Sequence, residues 1–159
     1  MDKKVVIAII AVIAVVAIVA VVALVMPKGD SAKSLNIDDA AAKLNAAAPF
    51  NEMAAMDITS DLLEGIYGIN PANVEKVAGK APMMNVHSSM YMLLQAKEGT
   101  VDTVKAELDK YLTQYEQQWS TYLPAQYELV KNRKSAVVGN TIYVIIAENA
   151  ETLATEITK

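Results

Sequence analysis

A run of 22 apolar residues near the amino terminus restricts this chain more than any other feature. From Val5 to Met26 the sequence contains no charged or polar side chain. A helix of this length would span about 33 Å, close to the roughly 30 Å thickness of a bilayer core and longer than the core of a cleaved export signal. The run is therefore predicted to be a retained transmembrane helix.

Alanine recurs at every third position of this run, from Ala8 to Ala23. Helices that pair closely in membranes place small residues four apart, so that they share one face. A three-residue step turns about 300° around a helix and spreads these alanines around its circumference. The segment is therefore predicted to be a passive anchor.

The charges that flank the run predict its orientation. Lys3 and Lys4 precede it, and basic residues favour the cytoplasmic side. The chain is thus predicted to be a single-pass protein of the cell membrane, with its amino terminus inside and its domain outside. Residues 1–4 are assigned to the cytoplasm, 5–26 to the membrane, 27–35 to a small polar tether and 36–159 to one extracytoplasmic domain.

The composition of the exported part excludes several classes of function. The whole chain has a net charge of −4, and beyond Lys4 it has 12 basic against 17 acidic residues. This balance argues against a nucleic-acid partner, which needs a clustered basic face. The short basic segment Lys131–Lys134 is interpreted as a solvated helix end. Because the chain has no cysteine, disulfides and thiolate chemistry are excluded.

Local patterns predict helices in the first part of the domain. Asn36 is a predicted N-cap, Asp38 and Asp39 follow in the first turn, and Pro49 closes the helix. A second short helix within residues 57–70 is predicted to end near Gly65 or Gly68. A turn or a single helical turn is predicted at Pro71.

The rest of the domain alternates strands and helices. A strand with one more apolar face is predicted over residues 88–97, and residues 81–87 are predicted to be a second extended piece. The longest helix follows Gly99, breaks at Pro124 and continues as a short helical piece. Two strands joined at Gly139 and Asn140 indicate a hairpin whose second strand is central, and a last helix is predicted with Asn149 as its N-cap. The predicted fold class is α+β, with a mainly antiparallel sheet of 3–4 strands packed by helices.

No catalytic, cofactor-binding or metal site is predicted. His87 and Ser89 would share a strand face, but no nucleophile motif surrounds them. Asp57, Asp61 and Glu64 would share a helix face, which is not the arrangement of a calcium loop. Four methionines surround His87 and could hold cuprous copper, but methionine more often fills gaps in a core. These methionines are Met83, Met84, Met90 and Met92.

An aromatic segment supplies the candidate interaction surface. Tyr115, Trp119 and Tyr122 recur on one face of the long helix, and most of that face is predicted to be core. Where the helix breaks, part of the segment is predicted to be exposed and to bind a partner or the membrane interface. The predicted interaction residues are Tyr122, Pro124, Gln126 and Tyr127.

Four short motifs resemble a known family. The segments IYGIN, MYMLLQAKEG, YLPAQYELV and VVGNTIYVIIAEN are similar, in order and spacing, to an uncharacterised family of small membrane-attached extracytoplasmic proteins, a domain of unknown function. The resemblance covers about residues 57–148. Many members look like lipoproteins with a lipid-bearing cysteine, and this chain, which has no cysteine, departs from that pattern. The resemblance implies no reaction, cofactor or catalytic residue.

The sequence thus favours a non-catalytic binding module anchored in the membrane. Its partner would be an unknown envelope protein or an extracellular ligand. Two alternatives stay open: a structural subunit of a pilin-like surface filament, and a protein secreted after signal cleavage.

Overall fold

The elements of the domain follow one another with short connections. The computed structural model describes residues 34–159. In chain order the elements are α1 (Ile37–Ala46), β1 (Ala55–Asp57), α2 (Leu62–Tyr67), a 3₁₀ turn (Pro71–Asn73), β2 (Val74–Pro82), β3 (Met90–Ala96), α3 (Val101–Ser120), α4 (Pro124–Lys131), β4 (Lys134–Val138), β5 (Thr141–Ile146) and α5 (Ala150–Thr158).

The described residues form an α+β fold around one antiparallel sheet of five strands in the order β1-β2-β3-β5-β4. The predicted count of 3–4 strands is too low. β1 has only three residues, and β2 is interrupted by charged residues and Gly79, so neither carries a clear alternation. The extended piece predicted over residues 81–87 is present only at Ala81 and Pro82, because β2 ends at Pro82 and a loop follows.

Helices cover both faces of this sheet. On one face α2, α3 and α4 pack against the strands in a first core. On the other face α1 and α5 pack against them in a second core. β5 is therefore buried along its whole length, as predicted for a central strand. β3 is buried on both faces, which corrects the prediction of one more apolar face.

Most of the predicted start and stop signals are confirmed. The Asn36 side chain accepts hydrogen bonds from the backbone N–H groups of Asp38 and Asp39, at 3.0 and 3.2 Å. Gly68 ends α2 with a φ of 65°, and the hairpin turn has Gly139 at a φ of 64°. Asn149 precedes α5 but its side chain does not cap the helix. Its amide donates instead to the carbonyl of Ala48, at 3.2 Å.

Among residues 34–159, none of the helices is both long and apolar enough to cross a membrane. The predicted membrane segment, residues 5–26, and most of the predicted tether lie outside the described residues.

Candidate binding groove

A row of aromatic rings follows α3 and continues past its carboxyl end. Successive ring centroids are 5.0 to 6.0 Å apart, distances at which aromatic pairs attract one another. One ring comes from α2 and the others recur every three or four residues along α3 and the turn after it, as the sequence pattern predicts. The members of this aromatic row are Tyr67, Tyr111, Tyr115, Trp119 and Tyr122.

The β2–β3 loop, residues 83–89, exposes large apolar side chains beside this row. Met83 is 67% exposed, Met84 53% and Val86 45%. The backbone N–H of His87 donates to the carbonyl of Met84 at 3.3 Å, which closes a turn. The exposed apolar side chains therefore lie on a hydrogen-bonded turn.

A cluster of hydrogen bonds fixes the end of this loop to the helices. Ser88 is fully buried; its backbone N–H donates to Oε1 of Gln126 at 2.8 Å, and its hydroxyl donates to the Gln126 carbonyl at 3.0 Å. The hydroxyl of Tyr115 donates to the carbonyl of Ser88 at 3.2 Å. The loop is thus joined to both α3 and α4.

Between the aromatic row and the loop lies a groove with a volume of about 170 Å³. Its rim includes the exposed side chains of Ile66 and Met84. No Asp or Glu lines it. The lining residues that matter below are Met56, Met84, His87, Met90, Tyr115 and Trp119.

The tyrosines along the groove are neutral at physiological pH. Burial raises the pKa of Tyr115 to about 12, and burial, followed by the neighbouring tyrosines, raises the pKa of Tyr111 well above its usual range. The indole Nε1 of Trp119 is buried beside the Tyr115 hydroxyl, and its hydrogen bond lowers the pKa of Tyr115 by less than burial raises it.

The four predicted interaction residues occupy different environments. Tyr122 is 57% exposed and lies against Trp119 with ring centroids 5.8 Å apart. Pro124 is exposed at the first position of α4. Gln126 holds Ser88, and Tyr127 packs on the first core under the ammonium of Lys131. Their binding role stays a prediction, and the structure gives two of them structural contacts.

His87 and Ser89 line a second, larger cavity of about 520 Å³ on the other side of the loop. Gln126 and Glu148 also line it. Among the described residues no hydrogen bond joins the side chains of His87, Ser89 and Glu148. The absence of a catalytic role for His87 and Ser89 stays a prediction.

The acidic residues predicted to share a helix face do not share one. Asp57 ends β1, Asp61 precedes α2 and Glu64 lies within it. The pattern failed because the chain enters a strand before the helix begins. No group of three or more His, Cys, Asp or Glu side chains in the described part could hold a metal ion.

The basic segment Lys131–Lys134 is paired with acidic side chains. Lys131 pairs with Glu128 at the end of α4. Arg133 Nη1 lies 2.7 Å from Glu116 Oε2. Lys134 pairs with Glu151 at the start of α5.

The methionines around His87 divide into two groups. Met90 and Met92 are buried in the first core, as predicted for methionines that fill gaps. Met83 and Met84 are exposed, so this role does not apply to them. The alternation over residues 88–97 is the sequence signal for this difference, because it places Met90 and Met92 on the more apolar face of the predicted strand.

The fold defines an α+β domain whose antiparallel sheet is covered on both faces, with a groove beside one connecting loop. The chain belongs to the family described as Domain of unknown function (DUF4358), whose model matches residues 48–147. This match confirms the resemblance to an uncharacterised domain family and includes every described strand, the β2–β3 loop and the groove. No curated protein and no solved structure matches the chain significantly.

Proposed function

We propose that the protein is a membrane-anchored module whose extracytoplasmic domain binds a protein of the cell envelope and carries out no catalysis. The observation that carries this proposal is an exposed apolar surface beside the groove. Its members, called the apolar surface below, are Ile66, Met83, Met84, Val86 and Tyr122.

These exposed side chains come from α2, from the β2–β3 loop and from the turn after α3. Ile66 and Met84 line the same groove, although they come from α2 and from the β2–β3 loop. Met83 and Val86 flank Met84 in the loop, and Tyr122 adjoins Trp119 at the end of the groove. Clustered exposed apolar side chains of this kind mark interaction sites, whereas isolated ones are common on any protein.

The chemistry of this surface suits a protein partner better than a small molecule. A cavity of about 170 Å³ is smaller than the roughly 300–1,000 Å³ of a typical small-molecule site. Methionine and aromatic side chains are enriched at the cores of protein interfaces, and methionine adapts its shape to a partner.

The membrane anchor and the outward orientation are the second part of the proposal, and they rest on residues 1–26 of the sequence. The absence of cysteine makes a direct test available. Thr103→Cys lies on the exposed side of α3, and Asp2→Cys precedes the apolar run. A membrane-impermeant maleimide should label the first in intact cells and the second only after lysis. The reverse pattern would reject the orientation.

Site-specific photocrosslinking tests the binding surface. A photoreactive residue at Val86 should give one reproducible adduct with an envelope protein in intact cells, and the same residue at Thr103 should not. Ile66→Asp should abolish the Val86 adduct, because it places a charge on the apolar surface. Val137→Asp is the matched control, since Val137 is an exposed apolar residue on the edge strand β4 and does not line the groove. Equal adducts from Val86 and Thr103, or an adduct insensitive to Ile66→Asp, would contradict the proposal.

The mass of the mature chain separates this proposal from its alternatives. A retained anchor leaves the amino terminus at Met1 or Asp2. Loss of the first few residues would favour a pilin-like filament subunit, and loss of the whole apolar run would favour a secreted protein.

A further inference from the structure

We propose that the groove binds a soft monovalent metal ion, Cu(I) or Ag(I), through the thioether sulfurs of Met84 and Met90 and the imidazole of His87. Met56 lines the same groove and supplies a further thioether. Thioethers and imidazole are the neutral, soft ligands that such ions prefer. This site shares Met84 and the groove with the proposed protein partner but does not require that partner, and it departs from the prediction that the chain has no metal site.

The fold brings these ligands together from separate positions. The hydrogen bond from the His87 N–H to the Met84 carbonyl places the two residues at opposite ends of one turn. Met90 begins β3 directly after the loop, and Ser88 between them is held by Gln126. The two strand-side ligands therefore lie on backbone that is anchored, whereas the exposed Met84 side chain is free to fold over an ion.

Met84 and His87 are exposed, whereas Met90 lies at the buried side of the groove. The imidazole of His87 makes no hydrogen bond to any described residue, and His87 is exposed. Met90 is buried and lines the groove, and the Tyr111 hydroxyl lies 4.0 Å from its sulfur. A hydroxyl that donates to the sulfur of a ligand is a supporting contact that orients it.

The surroundings select a soft ion over a hard one. No carboxylate lines the groove, and the described residues contain no cluster of the His, Cys, Asp or Glu ligands that zinc or calcium requires. Tyr115 and Trp119 line the groove, and aromatic rings attract cations through their faces.

Trp119 makes the test simple, because it is the only tryptophan of the chain and it lines the groove. Silver nitrate is titrated, in chloride-free buffer, into the full chain held in a mild detergent. Tryptophan fluorescence reports binding, and native mass spectrometry reports stoichiometry. We expect one Ag(I) per chain and a fluorescence change that saturates at one equivalent.

Two ligand variants and one matched control decide the assignment. Met84→Leu and His87→Ala should each weaken Ag(I) binding by about tenfold or more, since each removes a ligand. Both residues are exposed, so both variants should keep the far-ultraviolet circular dichroism of the parent. Met83→Leu is the control: it removes an exposed thioether from the adjacent position, which does not line the groove, and should leave the affinity unchanged.

Three results would overturn the proposal. One is that the parent binds Ag(I) no more tightly than the double variant Met84→Leu/His87→Ala. Another is that Met83→Leu weakens binding as much as Met84→Leu, which would indicate unspecific thioether binding. The third is that Zn(II) binds the same site as tightly as Ag(I), which would show that the imidazole acts without the sulfurs.

Discussion

The hydrogen bonds between Gln126 and Ser88 make a quantitative prediction about how the loop is held. Gln126→Ala removes the side-chain oxygen that accepts from the buried backbone N–H of Ser88 at 2.8 Å. An unpaired buried amide costs about 1–3 kcal/mol. The Ser88 hydroxyl keeps its bond to the Gln126 backbone carbonyl, which the substitution does not remove. Gln126→Ala therefore leaves one buried donor, the backbone N–H of Ser88, without a partner, and we expect the free energy of unfolding to fall by about 1–3 kcal/mol.

Urea denaturation of the full chain in mild detergent, followed by the fluorescence of Trp119, measures this loss. Gln114→Ala is the matched control, because Gln114 is exposed on α3 and its side chain makes no hydrogen bond to a described residue. It should change the free energy of unfolding by less than about 0.5 kcal/mol. Gln126→Glu retains an acceptor at the same place and should lose less stability than Gln126→Ala.

The result also separates two roles for Gln126. If Gln126→Ala is as stable as Gln114→Ala, the hydrogen bonds to Ser88 do not stabilise the loop and the reasoning is refuted. If Gln126→Ala is as stable as Gln114→Ala and yet loses the crosslink from Val86, Gln126 contacts the partner directly, as the sequence predicted.

Two further predictions concern the sheet and the buried tyrosines. A Cβ at Gly79 would lie 2.6 Å from the carbonyl oxygen of Tyr91 and 2.9 Å from Cδ1 of Ile58, so Gly79→Ala should lower the free energy of unfolding in urea by about 1–3 kcal/mol. A Cβ at Gly65, within α2, would meet open space, so Gly65→Ala should leave the free energy of unfolding unchanged or raise it by up to about 1 kcal/mol. Equal effects of Gly79→Ala and Gly65→Ala would contradict the close approach between Gly79 and Tyr91. Burial raises the pKa of both Tyr91 and Tyr115 to about 12, above the ordinary value of 10.0. Below about pH 9 these groups leave stability unchanged, and as pH rises from 10 towards 12 stability should fall, because the unfolded chain releases protons that the native state keeps. Urea denaturation across this range, with tyrosinate absorbance in parallel, checks the sign, and a stability that is flat up to pH 11 would contradict it.

Strong local signals account for the part of the fold that was predicted correctly. The hairpin around Gly139, the helix that begins at Val101 and the N-cap at Asn36 each depend on residues within a few positions of one another. β1 and β2 were missed for the opposite reason. Their stability comes from pairing with β3 and with each other, and a strand of three residues carries no periodicity of its own.

The groove could be anticipated only in part. The regular spacing of Tyr111, Tyr115 and Trp119 on α3 predicts a row of rings, but it does not indicate what lies opposite them. The exposure of Met83 and Met84 depends on where β2 ends, which the sequence misplaced. Gln126 was assigned to a surface because it lies where the long helix breaks, and its contact with Ser88 joins residues 38 positions apart.

The arrangement of the two cores explains why recognition is expected at the groove. Helices cover both faces of the sheet within the described residues, so neither face is open to a partner. The family match contains the strands, α2, α3, α4 and every residue that lines the groove, whereas α1 and α5 lie outside it. A property common to the family must depend on the shared part. The groove and the β2–β3 loop lie in that shared part. The helices α1 and α5 lie outside it and are expected to contribute to stability by covering the second face of the sheet.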